Sequence, residues 1–546
     1  MFFKKNISIN NLKVKKSKFV VEELLKSQFQ IDVVKKSINF DFLMLTLVMF
    51  KKTATFNNFI VNINIFDTVF KEQNNEYFFG FPISNNFDLE YNNYKGSWIK
   101  IKITSKNVEV VTDIIGAYRL YYTKLKDIIY ISDNYQFLLE KIKKVELNEM
   151  EYEYWKKHDY TTGGNTLFKK IKKFKPATVN KISSLEIEEN LYFKDLKSNP
   201  NELMHTKKVF NDLNDTFSNI KKNNKKIVLM FSGGKDSCLL ALFLIQHKIN
   251  FVAVFLKIEP TFKHANLDFQ KVTKVAEALN IKLKIIKINL HSFSEKEQLE
   301  ISLNQLMDKH FTPLHYIGVK KIKENYGKEI LIVNGSTSDS IFTFGPSESS
   351  IISYLRRNMM FKPKSILSKI GIILLNFKTK KHFKIGKNKK EQLLALMDEY
   401  RYCRVLDTKK TDKYYNYLSS KLFFAEKKLT NYLSLEMYAK TFTFLQGSTQ
   451  QIVNNSCKYY QIKSIMPFAS PNIIYATMQH RVINLEIKKP KYCVENILLS
   501  NFKFNYNDIK INYIKQDFEH NLDELRNNVT INFENSLKKI FLTHNI

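Results

Sequence analysis

The sequence predicts an α/β protein with an antiparallel, β-rich N-terminal domain, followed by a domain with a doubly wound parallel sheet and a helical C-terminal part. Three observations predict this fold class. Short alternating runs of apolar residues fill residues 57–135, strand and helix patterns alternate over residues 226–333, and helical patterns prevail over residues 350–500. A polar stretch that contains Pro200 separates the alternating apolar runs from the strand–helix pattern. We therefore expect domains at residues 1–200 and 206–546.

Turns rich in Asn and Gly separate the alternating runs of the N-terminal half, which is typical of antiparallel sheet. The predicted strands are Phe59–Ile65, Tyr77–Ile83, Ser97–Ile103, Val108–Val111 and Ile128–Ser132. A helix is predicted over Tyr135–Ile142, and a further extended stretch ends near Leu191.

In the second half, apolar strands alternate with helices, which indicates a parallel sheet covered on both faces. The predicted strands are Lys226–Phe231, Phe251–Leu256, Lys282–Leu290 and Glu329–Val333, and the predicted helices are Cys238–His247, Leu267–Leu279 and Glu300–Tyr326. The basic run Lys378–Lys390 is predicted to be a solvated loop.

The composition excludes several classes of protein. The 546 residues carry 86 Lys+Arg against 53 Asp+Glu, a formal net charge of +33, but only seven of the basic residues are arginine. Base readout and stacking on single strands both rely on arginine, so we attribute the charge to a compositional bias and expect no specific nucleic-acid partner. Four cysteines without a CxxC pair predict neither a disulfide framework nor a zinc site.

No segment of the sequence predicts a membrane span or a signal peptide. The apolar stretches Phe42–Phe50 and Ile366–Phe377 are much shorter than the ~20 residues that a spanning helix needs. The first ten residues lack the apolar core of a signal peptide. We therefore expect a cytoplasmic protein with no membrane partner.

The sharpest motif is Ser232–Ser237, with the sequence SGGKDS, between an apolar strand and an apolar helix. Gly233 and Gly234 allow consecutive backbone N–H groups to face an anion at the helix N-terminus, so phosphate is the expected guest. Asp236 beside phosphate requires a cation between the two, which predicts Mg²⁺. The spacing does not match the G-x-x-x-x-G-K-[ST] loop.

A second strand, Ile330–Val333, is also followed by a glycine turn and an acid, namely Gly335 and Asp339. The SGGKDS loop resembles the pyrophosphate-binding loop of the ATP pyrophosphatase superfamily, whose members cleave ATP between the α and β phosphates. The second segment resembles the S-G-E-G-[SA]-D-E-L-F segment of asparagine synthetases, with Gly335, Asp339 and Phe342 in register. In that family the two aspartates, here Asp236 and Asp339, jointly hold Mg²⁺.

A third match is Ile465–Ile474, which is similar to the R-x-P-F-L-D-x-x-L-[VI] segment of the family. Lys491 matches the lysine of the family's K-x-x-[LV] motif, which faces the pyrophosphate, and Lys488 and Lys489 are neighbours that could take the role. The resemblance implies Lys491, Asp236 and Asp339 as catalytic residues. It implies that ATP and pyrophosphate contact Phe231, Ser232, Gly233, Gly234, Lys235, Asp236, Ser237, Leu256 and Gly335.

The N-terminal half resembles the glutaminase-type, Ntn-hydrolase-like domain of the same family through Thr112–Tyr122 and Ile129–Asp133. That domain normally uses a cysteine directly after the initiator Met as its nucleophile. Here Phe2 follows Met1, and the first cysteine in the chain is Cys238. We therefore expect a degenerate scaffold domain without glutaminase activity.

The resemblance implies an AMP-forming carbon–nitrogen ligase that uses ATP and Mg²⁺, a carboxylate substrate and an amine or ammonia acceptor. Ser336 and Ser340 replace two glutamates of asparagine synthetases, and Glu348 is a nearby carboxylate that could act instead. These departures, with Gly345–Glu348, look more like the lasso-peptide macrolactam branch, for which a peptide substrate and a partner protease or leader-binding protein are expected. Three alternatives stay open: an ammonia-dependent asparagine synthetase, a tRNA-modifying ATP pyrophosphatase and a non-catalytic family member.

Overall fold

Three large sheets organise the protein in a computed structural model, two within residues 50–191 and one within residues 226–465. All the residues described belong to one compact unit, Met49–Ile546. The structure describes residues 50–56, 58–83, 91–158, 161, 163–196, 205–259, 263–289, 312–342, 366–379, 383–385, 405–407, 428–430, 434, 437–439, 441, 445, 448–480 and 491–509.

The N-terminal half forms a five-stranded sheet, in the order β1-β2-β8-β7-β9, and a six-stranded sheet, in the order β11-β10-β6-β5-β4-β3. The strands are β1 (Phe50–Phe56), β2 (Phe59–Ile65), β3 (Val69–Gln73), β4 (Glu76–Ile83), β5 (Lys95–Ile103), β6 (Val108–Thr112), β7 (Tyr121–Leu125), β8 (Ile128–Ser132), β9 (Ile171–Lys173), β10 (Thr178–Ile182) and β11 (Ile187–Leu191).

All five strands predicted in this half are confirmed to within two residues. Strands β1, β3 and β7 are present in the structure but are not predicted from the sequence, because each contains lysine and lacks a clear apolar alternation. One pairing also departs from a purely antiparallel sheet, since β2 and β8 run parallel. Those two strands are far apart in sequence, so a long connection through the other sheet joins them and permits parallel pairing.

The two N-terminal sheets bury a common core. Val61 and Ile63 of β2 and Phe79 and Ile99 of the six-stranded sheet are all fully buried and belong to one apolar cluster. Alternate residues of each strand therefore face the opposite sheet, as in packed sheet-on-sheet structures. The relation of this two-sheet half to Ntn hydrolases stays a prediction, as does the division into domains 1–200 and 206–546.

The second half contains a parallel sheet in the order β14-β13-β12-β15-β18, as the doubly wound pattern predicts. Its strands are β12 (Lys226–Met230), β13 (Phe251–Glu259), β14 (Leu283–Asn289), β15 (Ile330–Val333) and β18 (Lys463–Ile465). Both faces of the sheet are covered. Val228 and Leu229 are neighbours on β12, so their side chains point to opposite faces, and both are fully buried, each in a different core cluster. The chain passes from β12 outward to β14 and then returns to the other side of β12, which makes β12 and β15 the point where the strand order reverses.

The described helices precede, cover and follow the parallel sheet. They are α1 (Tyr135–Lys141), α2 (Glu149–His158), α3 (His205–Lys222), α4 (Lys235–Gln246), α5 (Lys263–Ala278), α6 (Thr312–Tyr326), α7 (Ser338–Phe342), α8 (Ile366–Thr379), α9 (Ser448–Tyr459), α10 (Pro471–His480) and α11 (Tyr492–Ser500). A small hairpin pairs β16 (Phe383–Ile385) with β17 (Val405–Asp407). Across these residues, no helix has both the length and the apolar character needed to cross a membrane.

Candidate functional site

The candidate site lies at the carboxyl ends of β12 and β15, where the strand order of the parallel sheet reverses. Ligands of open α/β sheets bind in the crevice at such a point. The Phe231 N–H donates to the Val254 carbonyl (2.8 Å), which aligns the chain with β13 just before it turns. Helix α4 begins at Lys235, so the predicted start at Cys238 is wrong by three residues. The residues of its first turn are polar, so the spacing of apolar residues does not reveal that this turn is helical.

The two glycines of the loop have different structural roles. Gly233 has φ +67°, and a Cβ atom there would lie 2.7 Å from the Cα of Val272 in α5. Gly234 is the N-cap of α4 and has an ordinary φ of −78°. Glycine is therefore required at position 233 by both backbone conformation and close approach, whereas position 234 is sterically open.

The two serines of the loop stabilise its turn. The Gly234 N–H donates to Ser232 Oγ (3.3 Å), and Ser237 Oγ donates to the Gly234 carbonyl (3.0 Å). The Ser232 and Ser237 hydroxyls lie 3.3 Å apart. The predicted phosphate loop thus forms at the N-terminus of a twelve-residue helix, a position that favours anions.

The structure brings together the three residues that the sequence assigns to catalysis. Lys491 Nζ lies 2.5 Å from Asp236 Oδ2 and 2.6 Å from Asp339 Oδ1. Ser338 Oγ donates to Asp236 Oδ1 (2.8 Å). Gly335 packs closely against Asp236, because a Cβ atom there would lie 3.3 Å from the Cβ of Asp236.

The charges of this cluster oppose one another. Burial raises the pKa of Asp236, and the nearby charge of Asp339 adds to the rise, while Lys491 and the Ser338 hydroxyl oppose it. For Lys491, burial lowers the pKa, but Asp236 and Asp339 outweigh it, so the pKa is raised overall. The lysine therefore keeps its positive charge at neutral pH.

The donor set of the cluster fits Mg²⁺ bound together with phosphate. Asp236 and Asp339 offer hard oxygen ligands and already share one cation, the Lys491 ammonium. Among the described residues no group of three or more His, Cys, Asp and Glu side chains could hold a metal. Two carboxylates nevertheless suffice, because Mg²⁺ commonly binds one or two carboxylates and completes its shell with phosphate oxygens and water.

Glu495 and Tyr506, which belong to none of the sequence motifs, also contact the loop. Lys235 forms an ion pair with Glu495 of α11. The Tyr506 hydroxyl donates to the Gly233 carbonyl (2.6 Å). Glu495 lies four residues after Lys491, so helical spacing could have placed both on one face of α11, whereas nothing local in the sequence points to Tyr506.

Phe231 directly precedes the loop, and Leu256 lies on β13, two residues after the Val254 whose carbonyl accepts the Phe231 N–H. The Phe231 side chain is buried in the core, so that its expected contribution to ATP binding would come from its backbone. Leu256 is half-buried on β13 and packs against α6, since a Cβ atom at Gly318 would lie 2.4 Å from Leu256 Cδ1. Its contact with ATP stays a prediction. The loop predicted for Lys378–Lys390 is wrong where the structure describes it, because residues 378–379 belong to α8 and Phe383–Ile385 forms β16. Several other assignments lie outside the described residues: Phe2, Gly345–Glu348, residues 380–382 and 386–390 of the basic run, Lys488 and Lys489.

The N-terminal motif around Asp113 shapes a turn. The Asp113 carboxylate accepts hydrogen bonds from the N–H groups of Ile115 (3.1 Å), Ala117 (2.8 Å) and Tyr118 (2.9 Å). Burial raises the pKa of Asp113 to about 6, although these backbone hydrogen bonds oppose the rise. The pattern that resembles glutaminase-type domains therefore corresponds here to a buried turn.

Comparison with known proteins leaves the family open. No family model matches the sequence, and no curated protein matches it. Among solved structures, an NH3-dependent NAD synthetase from Campylobacter jejuni is similar with 17% identity, covering 41% of this chain and 96% of that one, at a TM-score of 0.20. An NMN synthetase from Francisella tularensis shares 15% identity over 46% of this chain and 96% of that one, at a TM-score of 0.19.

A U34-tRNA thiolase from Methanococcus maripaludis is similar with 15% identity over 52% of this chain and 82% of its own, at a TM-score of 0.19. TM-scores this low do not support an inference about fold or activity. The functional argument therefore depends on the residues of the site.

Proposed function

We propose that the protein is an ATP-dependent, AMP-forming carbon–nitrogen ligase. It would adenylate a substrate carboxylate and transfer the acyl group to an amine. The observation that supports this proposal is the convergence of Lys491, Asp236 and Asp339 beside a glycine loop at the N-terminus of α4. A helix N-terminus, a lysine and two carboxylates are the groups needed to hold a triphosphate with its counter-ion.

In the proposed reaction, the loop binds the phosphates through backbone N–H groups and the charge of Lys235. Asp236 and Asp339 are the residues that would hold Mg²⁺, which when bound supplies positive charge to the phosphates. A carboxylate oxygen of the substrate attacks the α-phosphorus, the bond to the β-phosphate oxygen breaks, and pyrophosphate leaves. Lys491 keeps its charge because of its raised pKa, so it can stabilise the negative charge that develops on the leaving group.

The second half-reaction is the attack of an amine on the acyl carbon, which releases AMP and a proton and forms an amide. We propose that the amine belongs to a peptide substrate and that the product is a macrolactam. Two features of the sequence support this choice: no cysteine precedes Cys238, and serines at 336 and 340 replace the glutamates of asparagine synthetases. We further propose a partner protease or leader-binding protein.

The test is release of AMP and pyrophosphate by the purified full chain with ATP and Mg²⁺. The substrates are aspartate with ammonium, aspartate with glutamine, and peptides with a free N-terminus and an internal Asp or Glu. We expect equimolar AMP and pyrophosphate with a peptide, and a peptide product lighter by one water. Activity with aspartate and ammonium alone would indicate an ammonia-dependent asparagine synthetase instead.

Asp339→Asn is the matched variant, because its side chain is 71% exposed and its replacement should leave the fold intact. Lys225→Gln is the control, since Lys225 pairs with the exposed Glu329, away from the loop. We expect Asp339→Asn to lose activity and Lys225→Gln to keep it. Absence of ATP binding by the wild type would contradict the proposal and favour a non-catalytic role, and activity that requires tRNA would contradict the choice of substrate.

A further inference from the structure

Three elements meet at the ring of Tyr506. The ring centroid lies 5.6 Å from Lys235 Nζ, in the first turn of α4, and 5.7 Å from Lys271 Nζ, in α5. The Tyr506 hydroxyl donates to the Gly233 carbonyl (2.6 Å), so the ring is anchored directly to the phosphate loop. We call Lys235, Lys271 and Tyr506 the lysine–tyrosine cluster.

The backbone of α5 places Lys271 beside the loop. The next residue, Val272, approaches Gly233 so closely that a Cβ atom on the glycine would lie 2.7 Å from the Val272 Cα. Lys271 is half-buried and lies within cation–π distance of Tyr506. Its ammonium group is therefore held near the turn that carries the predicted phosphate-binding N–H groups.

The charges near the loop distinguish Lys271 from the other two lysines. Lys491 is paired with Asp236 and Asp339, and Lys235 is paired with Glu495. Within the described part of the chain, no carboxylate forms an ion pair with Lys271. An incoming anion can therefore be bound by Lys271 without first breaking an ion pair.

The hydroxyl of Tyr506 also orients the loop. A trans peptide is planar, so the carbonyl of Gly233 and the N–H of Gly234 point in opposite directions. By holding the Gly233 carbonyl, Tyr506 turns that partial negative charge toward itself and the Gly234 N–H to the opposite side. Without the Tyr506 hydroxyl, the hydrogen bond from the Gly234 N–H to Ser232 Oγ (3.3 Å) is the remaining hydrogen bond of this peptide. We therefore expect the peptide to rotate more easily and to present its carbonyl oxygen to an anion in part of the population.

We infer that Lys271 is a ligand of the pyrophosphate portion of the nucleoside triphosphate and that Tyr506 is a positioning residue for the phosphate loop. This inference depends on the proposed function, because it assigns residues to the same site. It specifies that the lysine–tyrosine cluster recognises the polyphosphate chain and makes no contribution to recognition of the nucleoside monophosphate.

The test is calorimetric titration of the full chain with inorganic pyrophosphate and Mg²⁺, and separately with AMP. We expect Lys271→Gln to weaken pyrophosphate binding about 10-fold, as for the loss of one charge-assisted hydrogen bond, and to change AMP binding less than twofold. Tyr506→Phe keeps the ring and loses only the hydroxyl, and we expect it to weaken pyrophosphate binding several-fold with an unchanged melting temperature. Lys225→Gln controls for the loss of one positive charge.

Pyrophosphate binding by Lys271→Gln that equals that of Lys225→Gln would overturn the inference while leaving the proposed function intact. An equal loss of AMP and pyrophosphate affinity would also overturn it, since that result indicates a general structural role. A wild-type chain that binds neither Mg²⁺–pyrophosphate nor Mg²⁺–ATP would overturn the proposed function itself.

Discussion

Lys491 reaches Asp236 and Asp339 from a left-handed backbone conformation, with φ 64° and ψ 25°, at the N-cap of α11. Non-glycine residues rarely adopt this conformation, which costs about 1–3 kcal/mol and is concentrated at functional sites. The two ion pairs and the start of α11 together hold the residue there. The backbone conformation thus brings the Lys491 ammonium group to both carboxylates, while its catalytic role stays a prediction.

At the residue scale we first predict the effect of Lys491→Met, which keeps the apolar stem and removes the charge. AMP formation should fall at least ~100-fold, because a cation placed on the developing charge of a leaving group is worth that much or more. Lys491→Arg keeps the charge and should retain measurable activity. Rates are compared in single turnovers with saturating ATP, and a Lys491→Met variant as fast as wild type would contradict the assignment.

The second residue-scale prediction concerns the pH dependence of stability through Asp113. Its pKa is raised by burial to about 6 in the folded state, against an ordinary value of 3.8, so the folded protein binds this proton more tightly than the unfolded chain. The associated stabilisation is fully present below pH 3.8 and is lost as the pH rises through 6. At about 1.36 kcal/mol for each pH unit, the loss is about 3 kcal/mol.

Asp113→Asn isolates this contribution because asparagine does not titrate. Urea titrations at several pH values measure the free energy of unfolding of the wild type and of Asp113→Asn. The wild-type value minus the variant value should fall as the pH rises from 4 to 7. A difference that stays constant, or that grows with pH, would show that Asp113 is not protonated more readily in the folded state.

At the scale of elements, the strand–loop–helix unit was the part of the site best predicted from sequence. Apolar β12, two glycines and apolar α4 are adjacent in the chain, so local pattern suffices to predict them. The apolar pattern predicts the start of α4 three residues too late, because Lys235, Asp236 and Ser237 are polar. Tyr506 could not be predicted, since it reaches Gly233 across 273 residues with no local signal.

The loop glycines provide an element-scale prediction with an internal control. Gly233→Ala combines a φ of +67° with a Cβ contact of 2.7 Å to the Val272 backbone, so we expect a loss of about 2 kcal/mol or more in stability, together with loss of ATP binding. Gly234→Ala has its nearest contact at 3.4 Å, to Ser232 Oγ, and should change stability by less than about 1 kcal/mol. Thermal unfolding and ATP titration of both variants check this, and equal effects would contradict it.

At the scale of the whole molecule, partly or fully buried ion pairs join the two-sheet half to the second half. Lys463 pairs with Asp67 (2.8 Å), Lys458 with Asp133 (3.4 Å) and Lys95 with Asp212 (2.8 Å). Fold class was predictable from periodicity, which is a local property. These ion pairs could not be predicted from the sequence, because each joins residues more than 100 positions apart. Lysines are also too numerous in this chain for a single lysine to indicate its partner.

The Lys95–Asp212 pair gives the most direct test of this junction. Lys95 Nζ donates to the Asp212 carbonyl (2.9 Å) and to Thr216 Oγ1 (3.1 Å), and the two side chains of the pair are only 11% and 4% exposed. Lys95→Met would leave the Asp212 carboxylate buried without its cation. We expect a loss of about 3–5 kcal/mol in the free energy of unfolding.

Urea denaturation of Lys95→Met and of Lys225→Met measures this difference. Lys225 pairs with a glutamate that is 78% exposed, so its removal should cost less than about 1 kcal/mol. The double variant Lys95→Met/Asp212→Leu should recover much of the loss, because an apolar pair of similar volume carries no buried charge. If Lys95→Met were no less stable than Lys225→Met, this buried pair would not contribute to the coupling of the two halves. The coupling would then depend on the other two ion pairs and on the shared apolar core, which includes Phe81 and Leu229.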